Sequence, residues 1–310
     1  MRFEDHDIRP MLIGLEEPAF DDEDYIYELK LDGIRCLVYA DDTTIVQNKR
    51  GFILNKKFPE LNDLHKQVKH RCILDGELYI FKNGASDFFE IQKRTLTTNA
   101  FKIRLHAKEY PAIFTAFDLL YEKDHFLIDD TLMERKKRLE TIVKENERIN
   151  ISRYIEREGI ALFSLAKEKG LEGIVAKRKD SRYTPEKRTK VWIKSKNLLD
   201  ADFVITGYIL KEKGIVSLIL GQYREQELMY KGHVTMGVSL PYLQSHSKKS
   251  DVCPFPNLPK GNEEAIWITP HLCGVVKFME YTREGGLRQP VFKGFREDKT
   301  PKDCIETYKK

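Results

Sequence analysis

A change of texture near residues 198–202 constrains the architecture more than any other feature of the chain. Before it, apolar strand-like runs alternate with helical signals. After it, the sequence reduces to short strands at 203–208, 216–223, 227–234 and 274–281, separated by glycine-bearing turns. A run of short strands without helices to cover it buries its apolar face by curling, so a small barrel is expected, with the OB-fold as its form. The stretch 245–261, rich in Pro, Ser and Lys, reads as a long loop within that barrel.

Upstream of the change, strands are expected at 25–28, 34–39, 44–47, 72–81, 112–121, 173–177 and 191–194, with a turn at 40–43. Thr131 and Glu134 have capping-box spacing, and Leu132, Arg135, Leu139, Ile142 and Val143 follow at helical spacing. A second helix is expected from about Ile160 to Lys169, stopped by Gly170. The first forty residues carry little helical signal. With 41% hydrophobic residues over 310 positions, the chain can bury a real core and is not a disordered polymer. No apolar run approaches the ~20 residues of a membrane helix, and the start MRFEDHDIRP lacks a signal-peptide core. Five scattered cysteines with no Cys-x-x-Cys argue against a zinc ribbon or a disulfide framework, and fit a reducing cytosol. With 53 basic and 49 acidic residues the chain is no polycation, so any nucleic acid would be held by local basic surfaces.

Four polar clusters interrupt the apolar runs. Lys30 lies in Glu28-Leu29-Lys30-Leu31-Asp32-Gly33-Ile34-Arg35, between two strands and just before an Asp-Gly turn, where a lysine can project into a cleft. Arg35 follows at the start of the next strand. Two such cations suit a phosphate and repel each other, which favours the neutral, nucleophilic amine. Asp75-Gly76-Glu77 puts carboxylates inside a very apolar strand, where burial requires a partner or a metal. Glu172 opens the run Gly173-Ile174-Val175-Ala176-Lys177 as a candidate Mg²⁺ ligand. Lys194 and Lys196 share one strand face with Trp192 by period two. Taken singly, these read as well as a solvated hairpin lysine, a strand-end turn, a helix-capping glycine and a solvated lysine face.

Their order is more specific than any one of them. K-x-D-G-x-R, D-G-E, E-G-I-V-A-K, W-I-K-x-K and then a β-barrel resembles the covalent nucleotidyltransferase superfamily. Within it the chain is similar to ATP-dependent DNA ligases, above all the ligase domain of bacterial end-joining ligases and small stand-alone bacterial ligases. The resemblance runs from about Pro10 to Cys304. It implies an α+β adenylation (nucleotidyltransferase) domain over 1–199, with antiparallel sheets and flanking helices, followed by an OB-fold barrel over 200–310. It implies that Lys30 attacks the α-phosphate of ATP, that Glu28 helps read adenine, and that Phe117 stacks on it. Arg35 matches the arginine beside the ribose and the 5′-phosphate of a nick, and Glu77 the ribose-contacting glutamate. Arg50 matches the arginine of the next motif, although the family commonly has Ser where Asn48 or Lys49 stands. Glu172 matches the metal-associated carboxylate, with Glu77 as the second metal candidate. Arg188, Lys194 and Lys196 match cations around the phosphates. In the run 292–299, Arg296 and Lys299 match the pair that orients the leaving pyrophosphate.

The resemblance further implies three steps: enzyme adenylylation, AMP transfer to a 5′-phosphate, and attack by a 3′-hydroxyl. ATP and Mg²⁺ (or Mn²⁺) are the implied cofactors, and nicked or broken double-stranded DNA is the implied substrate. A Ku-type end-binding protein or a repair polymerase is the implied partner class, for a monomer of bacterial or phage origin in the cytoplasm, at the nucleoid. Lys30 lies so near Met1 that no added N-terminal DNA-binding domain is expected, nor are fused polymerase or nuclease modules. Basic clusters at 102–108, 135–138 and 177–190 are candidate phosphate contacts. Competing readings are an RNA ligase or capping enzyme, disfavoured by Glu-Gly at 172–173 and the F-R-E-D-K ending, and a non-catalytic DNA-binding scaffold, disfavoured by the intact lysine. NAD⁺ as donor is disfavoured by the missing zinc module.

Overall fold

The computed structural model describes residues 2–82, 84–236 and 240–306. It divides into two compact units, Met1–Asn197 and Leu198–Lys310. The first carries strands β1 (Leu12–Glu16), β2 (Tyr25–Leu29), β3 (Ile34–Ala40), β4 (Thr44–Asn48), β5 (Cys72–Lys82) and β6 (Ala85–Ser86). Helices α1 (Phe88–Leu96) and α2 (Ala100–Glu109) follow, then β7 (Ala112–Glu122), β8 (His125–Phe126) and α3 (Leu132–Ile142). It ends with β9 (Ile149–Ile151), β10 (Tyr154–Glu156), α4 (Gly159–Glu168), β11 (Gly173–Arg178) and β12 (Arg188–Lys196).

These strands form two sheets. One has the order β1-β12-β11-β2-β10, with β1 parallel to β12 and the other pairings antiparallel. The other has the order β4-β3-β5-β7-β8, with β6 on β5 and β9 parallel to β7. Strand periodicity explains how three cores fit around two sheets. On β3, Leu37 and Tyr39 face a core shared with Ile26, Val175 and Trp192 of the other sheet, whereas Cys36, Val38 and Ala40 face a core closed by α1 and α3. On β2, Ile26 points into the shared core and Tyr27 into a third, which α4 covers with Leu162, Phe163 and Ala166. The capping box at Thr131 and Glu134 forms as expected and starts α3.

The second unit is an antiparallel sheet in the order β15-β14-β13-β16-β17, built from β13 (Leu199–Leu210), β14 (Val216–Arg224), β15 (Glu227–Met236), β16 (Ile266–Phe278) and β17 (Val291–Phe295). Its outer strands β15 and β17 come together, and irregularities at Ile205/Gly207, Leu220/Gly221 and Val275/Val276 supply the bends that closure needs. Phe203, Ile205, Leu218, Leu220, Val234 and Val276 fill its interior, and α5 (Leu240–Ser245) adds Leu243 to that core. The expected strand at 274–281 is the second half of β16. Its first half escaped notice because Pro270 interrupts the alternation where the β13 pairing jumps from Leu272 to Trp267.

Candidate active site

β2 leaves its sheet at Lys30, whose backbone N–H still donates to the Gly173 carbonyl at 2.9 Å. Gly173 has φ +133° and a Cβ on it would lie 2.1 Å from the Ser195 carbonyl oxygen, so the junction of β2, β11 and β12 requires glycine. Pinned in this way, Lys30 lines a pocket of about 500 Å³ together with Glu28, Arg35, Glu77, Phe117 and Lys177. Ser152, Trp192 and Val175 complete much of the wall. Five of the residues expected at the site, Glu28, Lys30, Arg35, Glu77 and Phe117, therefore meet in one cavity. A sixth, Glu172, pairs its carboxylate with Lys30 (Nζ–Oε1 2.7 Å).

The charges in this pocket are distributed differently from the sequence expectation. Arg35 does not act as a free cation beside Lys30. Its guanidinium forks onto Asp75 (Nε–Oδ1 2.5 Å, Nη2–Oδ2 2.6 Å), and Asp75 also accepts from the Tyr183 hydroxyl at 2.5 Å. Buried Asp75 neutralises Arg35, and the ionic partner of Lys30 is a carboxylate. The reason is register: Asp75 is opposite Leu37 and Glu77 opposite Arg35 on the paired strands β5 and β3, so Arg35 can reach back across the sheet to the acid two residues away. Arg35 and Lys177 both lie over the Phe117 ring, at 4.3 and 4.1 Å from its centroid, so a base stacking there meets an aromatic surface already flanked by cations.

Glu28 is buried, with Lys136 Nζ 2.6 Å from Oε1 and Lys177 Nζ 2.9 Å from Oε2, which also accepts from the Ser152 hydroxyl at 2.8 Å. Burial alone would raise its carboxyl, but the two ammonium groups outweigh that and hold it below the ordinary value. Burial pulls Lys177 down to about 8 against the opposing pull of Glu28. Glu77 goes the other way. Desolvation pushes its carboxyl up to about 8, and Lys30 and Arg35 only partly offset this. Glu172 adds a like charge.

The other expected residues lie apart from this cavity. Exposed Arg50 sits in a turn in which the Asn48 side chain accepts from the Arg50 and Phe52 N–H groups. It borders a separate depression with Arg9, Lys49 and Glu186. Asn48 thus builds this turn. Arg188 is exposed and donates to the Ile13 carbonyl at 2.7 Å. Lys194 and Lys196 both reach Glu16 Oε2, at 3.3 and 3.4 Å. In the second unit, Arg296 binds Asp298 in a fork (2.8 and 2.7 Å) and Asp202 at 3.1 Å, and Lys299 lies 3.9 Å from Asp202. The expected phosphate-binding cluster 135–138 is half internal: Arg135 and Lys136 are buried. Lys177 is buried too.

Residues 15–196 match the family model of the ATP dependent DNA ligase domain, and residues 211–299 match that of the ATP dependent DNA ligase C terminal region. The chain belongs to the ATP-dependent DNA ligases. It is 30% identical over 295 residues to the multifunctional non-homologous end joining DNA repair protein LigD of Mycobacterium tuberculosis, covering 91% of this chain and 37% of that protein. It thus spans little more than a third of LigD's length. It is 29% identical over 293 residues to the SPbeta prophage-derived DNA ligase-like protein LigB of Bacillus subtilis, covering 93% of this chain and 99% of LigB. Among solved structures, mycobacterial DNA ligase D complexed with ATP and MES aligns with a TM-score of 0.58 at 28% identity, over 97% of this chain and 98% of that one. The ligase's two units are accordingly a nucleotidyltransferase domain and an OB-fold.

Several residues that shape the ligase pocket gave no signal as such in the sequence. Tyr183 and Ser152 lie in connecting segments without a motif, and Lys136 sits inside a basic run on α3. Asp75 stood in view within Asp75-Gly76-Glu77, but its partner across the sheet follows only from the β3–β5 register. Asp202, which holds both Arg296 and Lys299, lies at the very texture change that marks the second unit.

Proposed function

We propose that this ligase seals 3′-hydroxyl/5′-phosphate breaks in double-stranded DNA through an AMP adduct on Lys30 and then a DNA-adenylate, in DNA repair. The observation that carries this reading is the position of Lys30, which lines one pocket with Glu28, Glu77 and Phe117 and stands 2.7 Å from Glu172. In the first step the Lys30 nitrogen bonds to the α-phosphorus of ATP and the bond to pyrophosphate breaks. Glu172 stands close enough to take the proton the amine gives up. In the second step a 5′-phosphate oxygen displaces Lys30 from AMP, and in the third a 3′-hydroxyl displaces AMP.

In this reading Glu28 contacts the adenine, Phe117 gives the base an aromatic wall, and Glu77 contacts the ribose. Arg35, braced by Asp75, lines the ribose and nick-phosphate side. Arg188, Lys194 and Lys196 supply positive charge along the phosphate path, and Arg50 contributes from its separate depression. Arg296 and Lys299 exchange their acidic partners for the leaving pyrophosphate. No group of three metal-ligating side chains occurs among the described residues. Mg²⁺ needs no such group, since it binds one or two carboxylates and completes its shell with phosphates and water. Glu77 and Glu172 would hold Mg²⁺ or Mn²⁺, which would neutralise charge on the phosphates. LigD is named for end joining, and we extend that role to this chain, with a Ku-type end-binding protein or a repair polymerase as its partner.

Incubation with α-labelled ATP and Mg²⁺ should leave one AMP on Lys30, and a nicked duplex added next should be sealed. Lys30→Arg, which keeps a cation beside Glu172 but no amine nucleophile, should lose both signals while melting near the wild-type temperature. Label mapped to another residue would overturn the assignment.

A further inference from the structure

The two cations at the end of the second unit are held by two acids of different kinds. Arg296 lays its Nε/Nη2 edge on Asp298 (2.8 and 2.7 Å) and turns Nη1 to Asp202 Oδ1 at 3.1 Å. Lys299 Nζ lies 3.9 Å from the other oxygen, Asp202 Oδ2. Asp202 thus offers one oxygen to each cation, as a phosphate group would.

The acids are also anchored differently. Asp298 stands two residues from Arg296 on the same run, so its fork travels with the guanidinium it holds. Asp202 belongs to the barrel wall. It lies in β13 opposite Val275 of β16, and its carbonyl accepts from the buried Gln222 side chain at 3.0 Å. It stays in place when the Arg296 and Lys299 side chains turn to another anion. Those side chains are 32% and 34% exposed, so an anion from solution can reach them. With one guanidinium edge forked onto Asp298, the Nη1 side is the one a second anion can take, and Asp202 occupies it.

We propose that Asp202 is a positioning residue: it is the resting counter-ion that Arg296 and Lys299 leave for pyrophosphate and return to when pyrophosphate departs, so it sets how weakly the ligase holds that product and how readily the first step reverses. This rests on the reading that Arg296 and Lys299 act on pyrophosphate. Asp298 keeps its fork throughout and orients the guanidinium. Asp202 touches no substrate atom and acts through the two cations.

The test runs the first step backwards. The full chain is loaded with labelled AMP on Lys30, freed of ATP, and given Mg²⁺ and graded pyrophosphate. A pyrophosphate oxygen bonds to the α-phosphorus, the bond to the Lys30 nitrogen breaks, and ATP re-forms. Asp202→Asn keeps the shape and removes the competing charge. It should lower the pyrophosphate concentration that gives the half-maximal rate roughly fivefold, the worth of two exposed ion pairs. Should that variant not fold, Asp202→Ser should move it the same way. Asp202→Glu restores the charge and should return it towards the wild-type value. Asp298→Asn loosens the guanidinium and should raise it. A half-maximal concentration that is unchanged or raised in a folded neutral variant would overturn the inference and leave Asp202 a structural tie. A lowering by Asp298→Asn equal to that of Asp202→Asn would overturn it too, because any acid beside Arg296 would then serve. Arg296→Ala is the separate control: if it reverses with the wild-type rate and pyrophosphate dependence, the cations do not act on pyrophosphate and the underlying reading is wrong.

Discussion

Replacing Glu77 with glutamine removes a titrating carboxyl from the pocket while keeping almost all of its volume. In the folded protein that carboxyl titrates near 8, against an ordinary value of 4.5, because desolvation outweighs the help of Lys30 and Arg35. Its effect on stability has a definite sign. Below about pH 4.5 both folded and unfolded chains hold the proton, and the group contributes no slope. Between about 4.5 and 8 the folded chain keeps the proton and the unfolded chain has lost it, so stability falls as pH rises. Above about 8 both forms are ionised and the slope vanishes. At about 1.36 kcal/mol per unit the full span would come to about 5 kcal/mol. Glu77 is only partly buried and the pocket opens to water, so roughly 2 kcal/mol is the expected size after screening.

Urea unfolding of the metal- and nucleotide-free protein tests this. The chain has two tryptophans, Trp192 in the first unit and Trp267 in the second. In a Trp267→Phe background, fluorescence therefore follows the nucleotidyltransferase unit alone. The Glu77→Gln protein should be the more stable at pH 7 to 8, and its advantage should grow from pH 5.5 to 8 and then level off. Mg²⁺ should flatten the slope of the wild type and leave the variant unchanged. The variant should adenylylate poorly despite its stability, which places Glu77 among groups kept for function at a cost in folding. Parallel stability curves over the whole range would refute the raised carboxyl. A slope that ignores Mg²⁺ would refute only its role as a metal ligand.

Two further outcomes follow from the ion pairs. Arg296→Ala and Lys299→Ala should slow adenylylation by ~10²- to 10³-fold, the loss typical of a charge-stabilising donor, yet seal a pre-adenylylated nick at near the wild-type rate, because pyrophosphate exists only in the first step; equal damage in both assays would remove that role. Arg94→Met should destabilise the first unit by ~3–5 kcal/mol, because it strands Glu60, whose two oxygens each lie 2.8 Å from Arg94 Nη2 in a buried site; the double variant Arg94→Met/Glu60→Gln should recover part of that loss in the same unfolding measurement.

Much of the fold was legible because strands announce themselves by composition and period. β3, β4, β5 and β7 are apolar runs bounded by turn residues, and α3 carries its capping box in plain sight. Helices α1 and α2 were missed for a physical reason. α1 is capped by Asp87 and α2 by Asn99, but their apolar faces are short and mixed, with Leu96, Phe101 and Leu105 exposed. Beyond the single core residue Ile91 and the partly buried Phe88, α1 is held by polar contacts at a distance in sequence: Arg94 on Glu60 and on the Lys57 carbonyl. β1 escaped because its pairing with β12 is parallel and made across 175 residues of chain, so no local hairpin pattern betrays it.

The site divides along the same line. Motif lysines and acids are visible because their residue types are unusual in apolar strands, and three of them, Glu28, Lys30 and Glu77, line one pocket with Arg35 and Phe117. Partnership is not visible, because it is decided by register and by which side of an element faces inward. In α3 the run Arg135-Lys136-Lys137-Arg138 looks like a basic stripe for phosphates. Helical geometry turns Arg135 and Lys136 inward with Leu132 and Leu139 and leaves Lys137 and Arg138 outside. Two charges counted as DNA contacts are therefore spent on Asp118 and Glu28 within the protein. The same holds in the second unit, where Asp202 and Asp298 already engage Arg296. Grip on DNA must come from cations left outside once these internal pairs are subtracted. The salt dependence of DNA binding, about 0.9 log units per log unit of salt for each phosphate neutralised, would then count only those outward charges and fall short of what the basic clusters in the sequence promise.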